Sequence, residues 1–180
     1  VRQDGRSSSL TAPNGQAQQR LFTATMGDGG MSPSELAHCE AHGTGTKLGD
    51  PIESASIRAA VLDDASSCVA ICGLKANTGH TEGASGIPGL LKAVTVSSSR
   101  RIAPNALLRI LNSYVYDALG TSDALLPAST ARADRVEVDS YNGHEHGSIV
   151  NAFGFSGTIA TVVASACGLS AGCSQTAVCC

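Results

Sequence analysis

The fold of this chain is decided by one stretch of its sequence, Glu40-Ala41-His42-Gly43-Thr44-Gly45-Thr46-Lys47-Leu48-Gly49-Asp50-Pro51-Ile52-Glu53. Residues 35–39 just before it predict a short strand, and its last four residues predict the start of a helix. In that helix Asp50 would be the N-cap, Pro51 the first helical residue and Glu53 the end of a capping box. A histidine between a strand end and a helix start is well placed for chemistry in an open α/β sheet. The spacing alone leaves open that His42 is an ordinary hydrogen-bonded loop histidine.

The composition describes a globular chain of 180 residues, which is one domain or a large piece of one. Apolar residues make up 42% and aromatic residues only 3%, so the core is expected to consist of Ala, Val, Leu and Ile. A net charge of −3, without a basic run, argues against a nucleic-acid partner. Seven cysteines without a signal peptide indicate reduced thiols in an intracellular protein, in the cytoplasm or a plastid. The uncharged run from residue 152 to 172 is too rich in Gly, Ser and Thr for a membrane span to be favoured.

Periodicity along the chain predicts helices at 16–26, 51–62 and 84–96, and strands at 35–39, 69–72, 148–153 and 158–164. Residues 2–15, 75–83 and 112–139 are predicted to be loops or irregular surface, with a short strand at 135–138, and no element is predicted after residue 166. The order α-β-α-β-α-β-β predicts an α/β fold with a mostly parallel sheet that closes on a hairpin. A sheet that opens on a helix lacks its first strand, and the chain begins with Val1 rather than Met. We therefore expect a fragment, the second part of a larger domain.

Two polar loops carry the candidate chemistry. His42 follows one predicted strand, and Lys75 and His80 follow the next. Because loops after successive parallel strands emerge at the same sheet edge, we expect these side chains to converge. Two imidazoles and an ammonium group could stabilise negative charge on a carbonyl or enolate oxygen. Glu82 could hold Lys75 or His80 in place.

These motifs resemble the β-ketoacyl synthase family, and most of all the ketosynthase domain of type I modular polyketide synthases. The resemblance rests on Gln3-Asp4-Gly5-Arg6-Ser7, Thr11-Ala12-Pro13-Asn14-Gly15 and residues 40–53, 75–86 and 153–158. It implies a thiolase-like fold, of which residues 1–166 would be the C-terminal half domain and residues 167–180 a Cys/Ser/Gly-rich tail. It also implies decarboxylative condensation of acyl and malonyl-type thioesters in polyketide or fatty-acid biosynthesis.

The resemblance assigns a role to each site residue. His42 and His80 match the two histidines that bind the extender's thioester carbonyl, and Lys75 matches the active-site lysine. Thr44, Thr46 and Phe155 match residues that contact the phosphopantetheine arm or form the gating turn. No cofactor would be bound directly, because that arm belongs to an acyl carrier protein partner. Other expected partners are the N-terminal ketosynthase half and, in some assemblies, a second copy of the domain.

One feature of the family has no counterpart in the predicted half domain. The nucleophilic cysteine belongs on a strand-to-helix elbow well before both histidines, and Cys39 and Cys167 do not fit that position. Two functions therefore stay open: half of a condensing enzyme that is inactive alone, or a non-catalytic ketosynthase-like subunit that packs in an assembly or binds carrier protein. A second departure is Ile159-Ala160-Thr161, where the family has Asn-Ala-His, which makes the hydrogen bonding behind the site an open question.

A metal site is not expected from these patterns. His38 and His42 are four residues apart, but the segment is predicted to be a strand and Glu40 is misplaced for a zinc protease motif. His144, Glu145 and His146 are expected in a solvated loop, and Cys68 and Cys72 are expected as core thiols around a buried strand. The spacing of Cys167, Cys173 and Cys179 is not one that metal ligands commonly have.

Overall fold

The computed structural model describes residues 1–7, 9, 12–63, 68–99, 101–122, 124–128, 147–166 and 176–179. Within these ranges the strands are β1 (Arg2–Gln3), β2 (Leu36–Glu40), β3 (Val69–Cys72), β4 (Ala124–Leu125), β5 (Gly147–Phe153), β6 (Thr158–Ala166) and β7 (Thr176–Cys179). The helices are α1 (Gly15–Asp28), α2 (Gly49–Ile57), α3 (Lys75–Thr78), α4 (Gly86–Ser99) and α5 (Ser113–Leu119). The predicted strand at 135–138 and residues 144–146 lie outside the described ranges.

All of these strands belong to one sheet in the order β1-β6-β5-β2-β3-β4, and β7 also pairs with β6. β2 pairs in parallel with β3 and β5, and β3 pairs in parallel with β4. β5 and β6 form the predicted antiparallel hairpin, and β1 and β7 add to β6 in antiparallel orientation. The sheet is therefore mixed rather than mostly parallel, because its β6 side is antiparallel throughout the described residues.

Helices cover both faces of the sheet. On one face the core joins α1 and α2 to the strands through a cluster of buried apolar side chains that includes Phe22, Met26, Ile57, Cys39, Ile71 and Ile149. On the other face α4 lies over β2, β5 and β6, and the buried residues of this helix are Gly89, Ala93 and Val96. Successive residues of a strand point to opposite faces, so the side of α4 receives the polar pair His38 and Glu40 while Cys39 joins the first core.

Local sequence explains the start of α1 but not that of α2. Asn14 caps α1, because its side-chain oxygen accepts a hydrogen bond from the amide of Ala17 at 3.1 Å. The prediction that Asp50 caps α2 is wrong: the cap position is Leu48, and both Asp50 carboxylate oxygens accept from the amide of Gly45 at 3.1 Å. α2 ends at Ile57 and continues as a π-helical turn, Arg58–Leu62.

Several short elements have no periodicity that predicts them. β1 and β4 are two residues each, too short for an alternation to register, and β7 lies in the Cys-rich tail. α3 occupies part of the predicted loop at 75–83. α5 lies in the stretch predicted to be irregular, and its N-terminus is capped by Asn112, which accepts from the amide of Tyr114 at 2.9 Å. No helix in the described part of the chain is long and apolar enough to cross a membrane.

Candidate active site

The two histidines of the sequence motifs face each other at one edge of the sheet. His42 lies just after β2, and His80 lies on the loop that follows β3 and α3. Their ring centroids are 5.6 Å apart, with the ring planes at 84° to each other. β2 and β3 are parallel neighbours, so the chain leaves both strands at the same edge, which is why the two rings meet.

His42 is buried and its ring is held by the closing hairpin. Its Nδ1 accepts a hydrogen bond from the backbone amide of Phe153 at 3.3 Å, and the Phe153 ring lies 5.3 Å from the imidazole centroid. Because Nδ1 is an acceptor, the neutral ring carries its proton on Nε2. Nε2–H is therefore the atom of His42 that can donate to a ligand.

His80 is exposed, and its tautomer is set in the same way. Its Nδ1 accepts from the backbone amide of Glu82 at 3.0 Å, so its neutral ring also carries the proton on Nε2. Glu82 has a φ of 48°, a left-handed conformation that costs energy for a residue with a side chain. Of the two residues that Glu82 could hold in place, Lys75 and His80, it contacts His80, and it does so through its main-chain amide.

The surroundings of His42 keep it neutral. Burial, followed by the positive charge of Lys75 and the neighbouring His80, lowers the pKa of His42 to about 4. Lys75 begins α3 and is half-buried, and burial lowers its pKa although Glu53, Glu40 and Asp50 act in the opposite direction. A neutral His42 is a hydrogen-bond donor through Nε2 at physiological pH.

A buried carboxylate fixes the turn that carries His42. Glu53 accepts from the amide of His42 at 2.7 Å, from the amide of Gly43 at 2.9 Å and from the side chain of Asn151 at 3.2 Å. Burial raises the pKa of Glu53, and these three donors oppose that rise. The hydroxyl of Thr161 then donates to Asn151 at 3.0 Å. Thr161, the last residue of the Ile159-Ala160-Thr161 departure, therefore extends the hydrogen-bonded network behind the site.

A second buried carboxylate, Glu40 at the end of β2, fixes the segment that carries Lys75. One of its oxygens accepts from the amide of Leu74 at 2.5 Å, and the other lies 2.8 Å from the Lys92 ammonium on α4. Burial alone would raise the pKa of Glu40, but His38, Lys92 and the Leu74 amide together lower it. The sequence does not predict this role, because only the packing of α4 brings Lys92 to the strand.

The predicted pantetheine-contacting residues lie on two exposed turns. The hydroxyls of Thr44 and Thr46 are 3.5 Å apart, and the Thr46 hydroxyl also accepts from the amide of Gly49 at 3.0 Å. Phe155 is 84% exposed at the tip of the β5–β6 hairpin. The phenylalanine that touches the His42 ring is Phe153, two residues earlier.

Cys39 and Cys72 are not activated nucleophiles. Cys39 is fully buried, and burial together with the Glu53 and Glu40 charges raises its pKa well above its ordinary value. Burial raises the pKa of Cys72 to about 11. A buried thiol with a raised pKa carries little thiolate, the reactive form.

Comparison with known proteins places these motifs in a family. The family model "Beta-ketoacyl synthase, C-terminal domain" matches residues 1–109. The chain belongs to the β-ketoacyl synthase family. It is 38% identical over 169 residues to a phenolphthiocerol/phthiocerol polyketide synthase of Mycobacterium tuberculosis, covering 91% of this chain and 8% of that protein. It is also 38% identical over 169 residues to a spectinabilin polyketide synthase system protein of Streptomyces orinoci, covering 91% of this chain and 4% of that protein.

The fold agrees with this assignment to the ketosynthases. The ketosynthase from module 6 of the bacillaene synthase of Bacillus subtilis superposes with a TM-score of 0.81 at 26% identity. That match covers 94% of this chain and 30% of the other chain. The predicted thiolase-like fold is confirmed, and this ketosynthase chain corresponds to the C-terminal part of the domain.

Proposed function

We propose that this chain supplies the two histidines and the lysine of a polyketide ketosynthase active site, for decarboxylative condensation of acyl and malonyl-type thioesters. The observation that carries the proposal is the pairing of His42 and His80. Each imidazole has its Nδ1 engaged by a backbone amide, so each presents an Nε2–H donor, and the two rings are 5.6 Å apart. Two such donors suit one carbonyl oxygen that becomes negatively charged.

The reaction assigned to this site proceeds through an enolate. The thioester carbonyl of the malonyl-type extender accepts hydrogen bonds from Nε2–H of His42 and of His80. Loss of CO₂ leaves the electron pair on the enolate, whose oxygen remains bound by the two donors. The enolate carbon attacks the acyl thioester on a cysteine, forms the new C–C bond and expels the cysteine thiolate. Lys75 adds positive potential beside the developing charge.

The acyl groups arrive on the phosphopantetheine arm of an acyl carrier protein, and Thr44 and Thr46 are assigned to contact that arm. The cysteine is assigned to an N-terminal ketosynthase half, since Cys39 and Cys72 are buried thiols with raised pKa values. We assign the catalytic half domain to residues 1–166, with residues 167–180 as an appended segment. Phe155, exposed at the hairpin tip, is assigned to the gating turn next to the incoming cysteine.

The experiment is a chimera in which residues 1–166 replace the matching part of the mycobacterial ketosynthase. Release of CO₂ from a malonyl-pantetheine thioester is measured beside acylation of the cysteine. His42→Ala, His80→Ala and Lys75→Ala are expected to slow CO₂ release by about 100-fold or more while the cysteine still becomes acylated. Arg101→Ala, an exposed residue beyond the far end of α4, is the control and should leave both rates unchanged.

The outcome also decides between the two functions left open by the sequence. A folded chimera that is acylated but releases no CO₂ would favour the non-catalytic role. Equal CO₂ release by the parent chimera and the histidine variants would contradict the assignment of His42 and His80.

A further inference from the structure

A second cluster of reactive side chains lies beneath α4 and has no part in the proposed condensation. His38 and Glu40 are two residues apart on β2 and point to the same face, and Cys72 on β3 pairs directly with Glu40. One ligand atom from each of the three lies within 4.8 Å of the other two. The residues are 0%, 2% and 1% exposed, in the order named.

The orientation of His38 is the feature that points to a ligand. Its Nδ1 lies 3.3 Å from the Ser148 hydroxyl, which leaves Nε2 facing the cluster at 3.4 Å from Glu40 Oε2. This Nε2 is fully buried, and among the described residues its contact with Glu40 Oε2 does not reach hydrogen-bond geometry. Metal-bound histidines have this arrangement, with one ring nitrogen on an oxygen and the other free for the ion.

The charge of the cluster is balanced by Lys92. Its ammonium lies 2.8 Å from Glu40 Oε2, and its side chain is 10% exposed, so it reaches the cluster from the rim. A divalent ion can take its place without changing the net charge. The ion brings two positive charges, the Lys92 ammonium swings out to solvent, and the Cys72 thiol releases its proton to solvent.

We propose that His38, Glu40 and Cys72 form a binding site for Zn²⁺ that is closed by Lys92 when no ion is bound. Imidazole nitrogen, carboxylate oxygen and thiolate sulfur are the three ligand types of protein zinc sites, at about 2.0–2.3 Å from the ion. Three atoms within 4.8 Å of one another need to move by less than about 1 Å to reach such distances. A water molecule would be the fourth ligand of the tetrahedral ion.

The site would be linked to the segment that carries Lys75. Glu40 binds the ion through Oε2 and keeps Oε1 on the amide of Leu74, the residue before Lys75. The inference does not depend on the proposed condensation, because metal binding is measured on this chain alone.

The test is a Co²⁺ titration of the full 180-residue chain, followed by optical absorption and then competed with Zn²⁺. One Co²⁺ per chain with a thiolate-to-cobalt charge-transfer band is expected. The band should be lost in Cys72→Ser, and affinity should fall at least tenfold in His38→Gln. It should be retained in Cys68→Ser and in a variant with the tail cysteines changed to Ser (Cys167, Cys173, Cys179 and Cys180).

Lys92→Met keeps the test decisive if the other variants unfold, because it removes the competing ammonium. It is expected to bind Co²⁺ at least tenfold more tightly, and misfolding cannot produce such a gain. Absence of the charge-transfer band, its survival in Cys72→Ser or its loss in the tail variant would each overturn the proposal. Unchanged or weaker binding by Lys92→Met would do the same.

Discussion

At the scale of single residues, His42 shows how backbone contacts prepare a side chain for chemistry. The Phe153 amide fixes its tautomer, and two of the bonds to Glu53 fix the turn from which the ring projects. Burial and the charge of Lys75 keep the ring neutral. A rigid donor that need not reorient during a reaction stabilises a developing negative charge more than the same group does in water.

The lowered pKa of His42 predicts a dependence of stability on pH. The pKa falls from an ordinary value of 6.5 in the unfolded chain to about 4 in the folded chain. Between these pH values the unfolded chain binds a proton at His42 and the folded chain does not, which favours unfolding. The contribution of neutral His42 to the free energy of unfolding is therefore complete above pH 6.5 and is lost as the pH falls toward 4. The loss should be on the order of 2–3 kcal/mol.

Urea unfolding at several pH values between 7.5 and 4 checks this value. The quantity compared is the difference in the free energy of unfolding between the parent chain and His42→Asn. The difference removes the contribution of the other acidic groups. A difference that stays constant across that range would contradict the neutral, buried His42.

Glu53 makes a second prediction at this scale. The Glu53 carboxylate accepts from two backbone amides and from the Asn151 side chain. In Glu53→Gln an NH₂ group replaces one of the two oxygens and would face one of these N–H donors without an acceptor between them. We expect a loss of about 1–3 kcal/mol in the free energy of unfolding. The measurement is urea unfolding at pH 7, with Glu82→Gln on the exposed loop as control. Equal stability of the two variants would show that the network contributes nothing.

At the scale of elements, α4 packs closely against the sheet at Gly89. A side chain at Gly89 would place its first carbon 3.0 Å from the Val150 methyl group and 3.2 Å from Glu40, in tight contact with the β-sheet. Gly27, in contrast, lies in α1 with no atom within 4 Å of that position. The same substitution therefore has opposite consequences in the two helices.

We expect Gly89→Leu to destabilise the fold by about 1–3 kcal/mol, because it must lift α4 from the sheet. Gly27→Leu should stabilise it by up to about 1 kcal/mol, because Leu is the better helix former. Thermal melts followed by circular dichroism check both values. A stable Gly89→Leu would mean that α4 does not pack as described.

The sequence predicts those elements whose signal is local. The glycine-rich turns, β2, β3, α4 and the hairpin were predicted within a few residues, because each has its own periodicity or turn residues. The pairing of Thr161 with Asn151 and of Lys92 with Glu40 was not predicted, since each joins residues of different elements. The prediction that Asp50 caps α2 is wrong because its carboxylate accepts from the amide of Gly45 in the preceding turn instead of from the first amides of the helix.

At the scale of the whole molecule, α4 has a second apolar side that the described residues do not cover. Ile87 and Leu91 are four residues apart on this helix and are 61% and 64% exposed. The chain accounts for 30% of the bacillaene ketosynthase that it resembles. We expect an N-terminal ketosynthase half to bury this surface.

Two variants test the role of this surface. Ile87→Asp and Leu91→Asp should abolish co-purification with an N-terminal ketosynthase half, because a charge would be buried in the contact. Ile110 lies outside α4 and is 90% exposed, so Ile110→Asp should leave co-purification unchanged. Co-purification that survives both α4 variants would place the contact elsewhere.

The proposed division of the active site between two halves is tested most directly by the intact mass of each chain after incubation with an acyl-pantetheine thioester. With residues 1–166 and an N-terminal half mixed in trans, the acyl group should appear on the N-terminal half, and this chain should keep its unmodified mass. Stoichiometric acylation of this chain alone, lost when one of its own cysteines is changed to Ser, would contradict the assignment of the nucleophile to the other half.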